Sequence, residues 1–231
     1  MLALLLTAAS PEEAAVNIPL WLDLAAVVVG AFSGLLYAQE RSLDLVGHIG
    51  LAIICGLGGG LIRDTIMQVG DVYMLNSPYA IWVCVATACA GFFFPGLMTH
   101  FPNLIEWVDI IAVALFAAAG TDKAIIYDLH FSAVILMGTM TGVGGGMMRD
   151  VFLGEVPRIF QKSNFYAICA IAGSAAFWLC ASSGLRKGWA VVVCMLVTVA
   201  LRRWSLHNDV YTPTDVNLAP SVKRFFRRKK L

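Results

Sequence analysis

One nine-residue pattern occurs twice in this chain and constrains its fold more than any other feature. The first copy, GLGGGLIRD, runs from Gly56 to Asp64, and the second, GVGGGMMRD, runs from Gly142 to Asp150. Both copies lie inside long apolar stretches, where glycine interruptions and charges are costly unless they line a cavity or pathway. Matching interruptions in two halves of a chain predict a site for ions or small solutes near the membrane midplane.

The composition indicates a membrane protein. Hydrophobic residues make up 59% of the 231 positions and charged residues 13%, whereas an ordinary soluble domain has about 25% charged residues. Several apolar runs reach the length of about 20 residues that crosses a bilayer as a helix. The sequence therefore predicts an all-α, multi-pass membrane protein. The six cysteines lie in apolar segments without CxxC spacing, so we interpret them as buried hydrophobic residues.

Charges, glycines and prolines divide the apolar sequence into seven predicted transmembrane helices. These spans are predicted at 20–38, 43–68, 79–97, 104–123, 130–154, 165–182 and 188–204. The predicted organisation is a leader at 1–19, a first repeat of three spans at 20–97, a second repeat of three spans at 104–182, a seventh span at 188–204 and a basic tail at 205–231. The second and fifth spans contain the two glycine patterns.

The distribution of basic residues predicts the orientation. Seven spans place the two termini on opposite sides of the membrane, and the basic tail contrasts with a leader that has no Lys or Arg. We therefore expect the N-terminus outside and the C-terminus in the cytoplasm, in a plasma or inner membrane. The tail is either a solvated topology signal or a contact for anionic lipid headgroups, which attract each nearby basic residue by about 1 kcal/mol.

The chain also repeats internally. Trp107 follows Trp21 by 86 residues, and the same offset pairs Asp23 with Asp109 and superimposes the two glycine patterns. Roughly a third of the residues from 21 to 64 are identical to their equivalents. Because each copy holds three spans, the second copy enters the membrane from the opposite face. The repeat therefore predicts inverted halves related by a pseudo-two-fold axis in the membrane plane.

The glycine triplets have two interpretations. Each glycine costs a helix interior about 1 kcal/mol relative to alanine, which favours a break, with free carbonyls that suit a cation and free N–H groups that suit an anion. The alternative is close packing, because the glycines at 56 and 60, and at 142 and 146, form small-xxx-small patterns. Nearby hydroxyls line a pathway or bond back to their own helix. The predicted ion pathway comprises Gly58, Gly59, Gly60, Gly144, Gly145, Gly146, Thr139, Thr141 and Ser33.

The charged residues beside the triplets are a second predicted element of the site. Neighbours in sequence do not face each other on a helix, so we expect Arg63 to pair with Asp150 and Arg149 with Asp64 across the pseudo-axis. Such pairs act either as a structural lock or as a selectivity or gating element. Lys123 aligns with Tyr37 in the first repeat, so the two repeats differ in charge at this position. Lys123 is either a snorkelling interfacial anchor or a charge that responds to voltage.

No pattern for catalysis, a cofactor or a metal ion occurs. The four histidines are scattered along the chain, and the glycine triplets lack the Lys-Ser/Thr of a phosphate-binding loop. The sequence therefore predicts neither an enzyme nor a nucleic-acid-binding protein. It predicts no metal site beyond transient monovalent cations.

These features together resemble the trimeric intracellular cation (TRIC) channel family. The resemblance rests on seven spans, a 3+3 inverted repeat plus one, and GGGxxRD in spans 2 and 5, and it covers residues 20–204. The Arg-Asp form, with Gly-Glu-Val-Pro at 154–157, is similar to the prokaryotic branch. The first repeat has Val-Gly-Asp-Val at 69–72 and lacks that proline, so we expect the two ends of a pore to differ.

The resemblance implies a homotrimer in which each protomer conducts potassium and other monovalent cations passively. It also implies kinked spans 2 and 5 around the triplets, and a voltage-related role for Lys123. The same domain has been described as a glycine transporter, so a carrier for a small zwitterion is the alternative function. A membrane scaffold without transport is a third.

Overall fold

The computed structural model describes residues 20–94, 103–161 and 165–210, and these ranges form eight helices. In chain order they are α1 (Leu20–Glu40), α2 (Leu45–Met67), α3 (Tyr73–Asn76), α4 (Ala80–Phe93), α5 (Leu104–Ile126), α6 (Phe131–Phe152), α7 (Tyr166–Ser182) and α8 (Lys187–His207). The predicted leader at 1–19, the tail beyond residue 210 and residues 95–97 of the predicted third span lie outside the described residues.

Five of these helices, α1, α2, α5, α6 and α8, are long and apolar enough to cross a membrane. The helices α4 and α7 are apolar but shorter, with 14 and 17 residues. The multi-pass, all-helical class is therefore confirmed, whereas the count of seven spans stays a prediction.

Contacts between helix ends define the direction of each helix. Asp23 near the start of α1 contacts Arg63 near the end of α2, and Lys123 near the end of α5 lies at the same end of the bundle. At the opposite end, Arg203 near the end of α8 pairs with Glu106 in the first turn of α5. The start of α1 and the end of α8 consequently lie at opposite ends of the bundle.

The predicted breaks at the glycine triplets are not observed. Both α2 and α6 continue as helix through their triplets. The physical reason is that a break inside an apolar bundle frees backbone N–H and C=O groups, and each unsatisfied group there costs several kcal/mol. That penalty exceeds the cost of about 1 kcal/mol for each glycine in a helix, so the continuous helix is favoured.

The triplets instead allow α2 and α6 to cross at close range in the centre of the bundle. A Cβ atom at Gly59 would collide with the backbone carbonyl oxygen of Thr141. A Cβ atom at Gly145 would lie 2.7 Å from the carbonyl oxygen of Cys55, and one at Gly144 would lie 3.2 Å from the Gly59 Cα. The close-packing interpretation therefore holds for the crossing of α2 and α6, but through Gly59, Gly144 and Gly145 rather than through the small-xxx-small positions.

Candidate functional site

A first cluster of buried charges joins the ends of α1, α2 and α5. Arg63 Nε donates to Asp64 Oδ1 at 2.7 Å, and Arg63 Nη1 donates to Asp23 Oδ1 at 3.2 Å. Lys123 Nζ donates to the same Asp64 oxygen at 2.8 Å, and the backbone N–H of Tyr73 donates to Asp64 Oδ2 at 2.9 Å. The first charge cluster is Asp23, Arg63, Asp64 and Lys123. It contains two positive and two negative groups, all of them buried.

A second cluster repeats this arrangement at the other end of the bundle. Arg149 Nη2 donates to Asp150 Oδ1 at 2.7 Å, and Arg149 Nη1 donates to Asp109 Oδ1 at 3.1 Å. The backbone N–H of Arg158 donates to Asp150 Oδ2 at 3.0 Å. The guanidinium carbon of Arg149 lies 3.7 Å from the centre of the Tyr37 ring. The second charge cluster is Tyr37, Asp109, Arg149, Asp150 and Arg158.

The two clusters differ at one pair of equivalent positions. Residues 37 and 123 are 86 apart, and each lies in the cluster of the opposite repeat. Lys123 supplies a buried ammonium to the first cluster, whereas Tyr37 supplies only the face of its ring to the second. The remaining cation of the second cluster is Arg158, whose side chain is 39% exposed and whose Nη1 lies 3.8 Å from Asp109 Oδ2.

The predicted pairing across the pseudo-axis is wrong. Each arginine contacts the aspartate that follows it in sequence, and each also contacts the aspartate 40 residues earlier. The rule that neighbours diverge on a helix describes their Cβ directions. An arginine side chain is long enough to fold back, so that Nε reaches the next carboxylate. The snorkelling interpretation of Lys123 is also wrong, because its ammonium is buried against Asp64 and the Asp71 carbonyl oxygen.

Two small cavities flank the glycine crossing, one beside each cluster. The first cavity is bordered by Asp23, Gly60, Arg63 and Tyr73. The second cavity is bordered by Gly30, Ser33, Asp109, Gly146, Arg149 and Tyr166. Phe116 borders both, and each has a volume of about 10 Å³, which is room for about one water molecule. The two cavities are related by the internal repeat.

Each predicted glycine triplet divides between packing and cavity lining. Gly59 and Gly145 lie in the crossing, and a Cβ atom at Gly58 would approach the Met148 sulfur at 2.8 Å. Gly60 and Gly146 face the cavities, and Gly145 borders the second cavity as well as the crossing. The two interpretations of the triplets therefore both hold within the same triplet.

The hydroxyl groups of the predicted pathway also fall into two groups, those that bond back to their own helix and one that borders a cavity. Thr139 Oγ1 donates to the Ile135 carbonyl at 2.8 Å, and Thr141 Oγ1 donates to the Met137 carbonyl at 2.6 Å, so both bond back to their own helix. Ser33 is buried and borders the second cavity. The role of all these residues in a pathway stays a prediction.

Sequence reasoning missed several members of the site. Asp23 and Asp109 were recognised only as equivalent positions, although a charge at the start of two apolar spans, repeated at the offset of 86, indicates a partner for each arginine. Phe116, Tyr166 and Arg158 carried no such signal, because aromatic residues and loop arginines are common in membrane proteins.

The first cavity also contains a phenol outside the membrane-spanning helices. Burial raises the pKa of the Tyr73 hydroxyl on the short helix α3, so this group is neutral at physiological pH. Across the described ranges, no group of three His, Cys, Asp or Glu side chains is arranged to hold a metal ion.

Comparisons with known proteins identify relatives along most of the chain. The family model described as glycine transporter matches residues 20–95 and 106–182. A UPF0126 membrane protein of Deinococcus radiodurans is 33% identical over 190 residues, which cover 80% of this chain and 88% of the relative. The UPF0126 inner membrane protein YadS of Escherichia coli K12 is 29% identical over 191 residues, covering 80% of this chain and 92% of the relative.

Solved structures share the fold. The TRIC trimeric intracellular cation channel orthologue of Rhodobacter sphaeroides superimposes with a TM-score of 0.75 at 27% identity, covering 82% of this chain and 97% of that one. A structure that describes conductance through TRIC cation channels gives a TM-score of 0.74 at 26% identity, with 85% and 96% covered.

Proposed function

We propose that this chain, which belongs to the glycine transporter family and to the prokaryotic branch of the TRIC channels, conducts monovalent cations passively. Potassium is the expected permeant ion. The pathway lies inside each protomer, beside α2 and α6, and passes the two charge clusters. The solved relatives are named as cation channels, which supports this function over an enzymatic one.

The observation that carries the proposal is the pair of cavities on either side of the glycine crossing. Each cavity contains an aspartate, Asp23 or Asp109, within the low-charge interior of a membrane protein. An ionisable residue at such a place marks an ion pathway more often than a structural feature. Because an inverted repeat relates the cavities, one opens towards each side of the membrane in the proposed pathway.

The proposed pathway is not continuous in this structure. Each cavity has room for about one water molecule, and Phe116 and the glycine backbones lie between them. Conduction therefore requires α2 and α6 to move apart near Gly59 and Gly145. Met148 lies beside Gly58 and Ile62 beside Gly144, so this movement also requires these two side chains to shift.

The proposed topology has seven spans, with the N-terminus outside and the C-terminus in the cytoplasm. The opposite positions of the start of α1 and the end of α8 support an odd number of spans. Exposed aromatic side chains such as Trp82 and Trp189 suit contact with lipid or with other protomers. The trimeric state named for the relative supports a homotrimer for this chain.

A carrier for glycine is the second candidate, favoured by the family description. Binding of glycine would require N–H groups for its carboxylate and carbonyl groups for its ammonium. The continuous helices α2 and α6 leave no free helix ends at the triplets to supply these groups. This observation favours the channel.

The two functions are separated by transport in liposomes. Purified protein is reconstituted, and potassium flux and glycine uptake are measured on the same preparation. We expect potassium flux that follows the gradient and does not saturate with a second solute. Concentrative glycine uptake without potassium flux would contradict the channel and favour the carrier.

A matched pair of variants tests the location of the pathway. Gly145→Leu introduces a side chain into the crossing, and we expect it to reduce potassium flux at least about tenfold because the side chain fills the space that must open between α2 and α6. Gly50→Leu is the control, since a Cβ atom at Gly50 has no neighbour within 4 Å. Equal flux in the two variants, in protein of equal yield and oligomeric state, would exclude the crossing from the pathway.

A further inference from the structure

The buried charges of the two clusters do not balance equally. In the first cluster, Arg63 and Lys123 offset Asp23 and Asp64. In the second cluster, Arg149 alone faces Asp109 and Asp150 among the buried groups. The buried part of the second cluster therefore carries one uncompensated negative charge. The guanidinium carbon of Arg202 lies 5.1 Å from the centre of the Tyr166 ring, and among the described residues no ion pair joins it to Asp109 or Asp150.

Arg158 offsets this charge only in part. Its Nη1 lies 3.8 Å from Asp109 Oδ2, beyond hydrogen-bond distance, and its side chain is partly exposed. It extends from the loop after α6, where Glu155 pairs at the surface with Arg41, the residue after the end of α1. An exposed guanidinium at this distance is a weak partner that another cation can replace.

The cavity beside Asp109 contains an oxygen without a protein partner. The Tyr166 side chain is 5% exposed, and within the described part of the chain its hydroxyl has no hydrogen-bond partner. This hydroxyl borders the cavity next to Gly146, and the buried Ser33 also borders the cavity. A buried hydroxyl without a partner is costly in an apolar interior. Its position therefore indicates a ligand in the cavity.

We propose that this cavity binds one dehydrated monovalent cation of about the size of potassium, with Asp109, Ser33 and Tyr166 as its ligands. The cation exchanges with the guanidinium of Arg158. In the first cluster, the ammonium of Lys123 beside Asp64 supplies the corresponding positive charge, although not at the equivalent aspartate. The site rests on the proposed function, because it is a binding position along the same pathway.

Several features of the cavity favour a monovalent ion. A carboxylate and hydroxyl oxygens are suitable ligands for a hard cation, and a potassium ion is about as large as the water molecule for which the cavity has room. Arg149 remains within the cluster and repels a second positive charge. A single charge completes the balance of the second cluster, whereas a divalent ion would exceed it.

Binding is tested by thermal unfolding of the purified full chain in detergent. The unfolding temperature is measured in potassium chloride and in N-methyl-D-glucamine chloride at equal ionic strength, and the potassium concentration is varied. We expect potassium to raise the unfolding temperature in a saturable way. Asp109→Asn should abolish this dependence, whereas Asp23→Asn, at the equivalent position of the first repeat, should retain it.

Two variants that each remove a tyrosine hydroxyl separate a loss of potassium binding from a general loss of folding. Tyr166→Phe removes an oxygen that has no hydrogen-bond partner among the described residues, so it should not lower the unfolding temperature in N-methyl-D-glucamine, but it should raise the half-saturating potassium concentration at least about tenfold. Tyr37→Phe removes another buried hydroxyl without a partner in the described residues, but one outside the cavity. It should leave the half-saturating concentration unchanged.

Arg158→Gln tests the exchange, because removing the competing guanidinium should lower the half-saturating concentration by about threefold. A potassium effect that survives in both Asp109→Asn and Tyr166→Phe, or the lack of any potassium effect in the parent protein, would overturn the site. Conduction in liposomes despite that result would leave the proposed function intact. Saturable binding without conduction would retain the site and refute the channel.

Discussion

The first and second charge clusters have the same Arg-Asp motif but different electrostatic surroundings. Each arginine holds the adjacent aspartate and the aspartate 40 residues earlier. The first cluster then adds the buried ammonium of Lys123, whereas the second adds the ring of Tyr37 and the partly exposed Arg158. The comparison shows that an internal duplication can preserve hydrogen-bond geometry while one pair of equivalent positions changes the charge balance.

The largest expected difference in stability between the two clusters follows from removal of Arg149 or Arg63. Arg149→Ala should lower the free energy of unfolding by about 3–5 kcal/mol, because it leaves two buried carboxylates without a buried cation. Arg63→Ala should cost less, since Lys123 still contacts Asp64. Equilibrium unfolding in detergent measures both losses, and equal losses would show that the ammonium does not compensate for the guanidinium.

A smaller effect is expected from removal of the ammonium itself. Lys123→Met should cost about 1.5–3 kcal/mol, the range for a buried hydrogen bond to a charged group, because Asp64 retains Arg63. Arg41→Met is the matched control, since Arg41 pairs with Glu155 at the surface, and its loss should cost less than about 1 kcal/mol. The same unfolding measurement applies. Similar losses for the two variants would contradict the buried role of Lys123.

The smallest expected loss of stability concerns Tyr37, the residue equivalent to Lys123 in the second cluster. Tyr37→Leu should cost about 1 kcal/mol more than Tyr37→Phe, because phenylalanine keeps a ring beneath the Arg149 guanidinium and leucine does not. Chemical denaturation of the two variants side by side gives the difference. If leucine and phenylalanine are equivalent, the ring acts by filling space rather than through its interaction with the cation.

Much of the fold follows from hydropathy. The predicted spans 43–68 and 130–154 correspond to α2 (Leu45–Met67) and α6 (Phe131–Phe152), because a long apolar run in a membrane satisfies its backbone only as a helix. The same principle explains why the predicted breaks are wrong. Propensity in water penalises glycine, but in an apolar interior an unpaired backbone group costs more.

The details of the site follow less directly from the sequence. The motif identified Arg63, Asp64, Arg149 and Asp150 as members, but their partners depend on how far a flexible side chain folds back. The contribution of Lys123 to the first cluster depends on the packing of α5 against α2, which no local pattern encodes. Tertiary arrangement therefore decides the pairing, whereas sequence decides which groups need a partner.

Tyr37 and Lys123 each belong to the charge cluster of the opposite repeat, and this arrangement has a consequence for the evolution of the chain. A gene that joined two copies of the first half would provide tyrosine at both positions, and neither Asp64 nor its equivalent would then receive a lysine. A gene that joined two copies of the second half would provide lysine at both positions and would lose both aromatic rings. With tyrosine at one position and lysine at the other, neither half can replace the other, because each residue acts in the cluster of the opposite half.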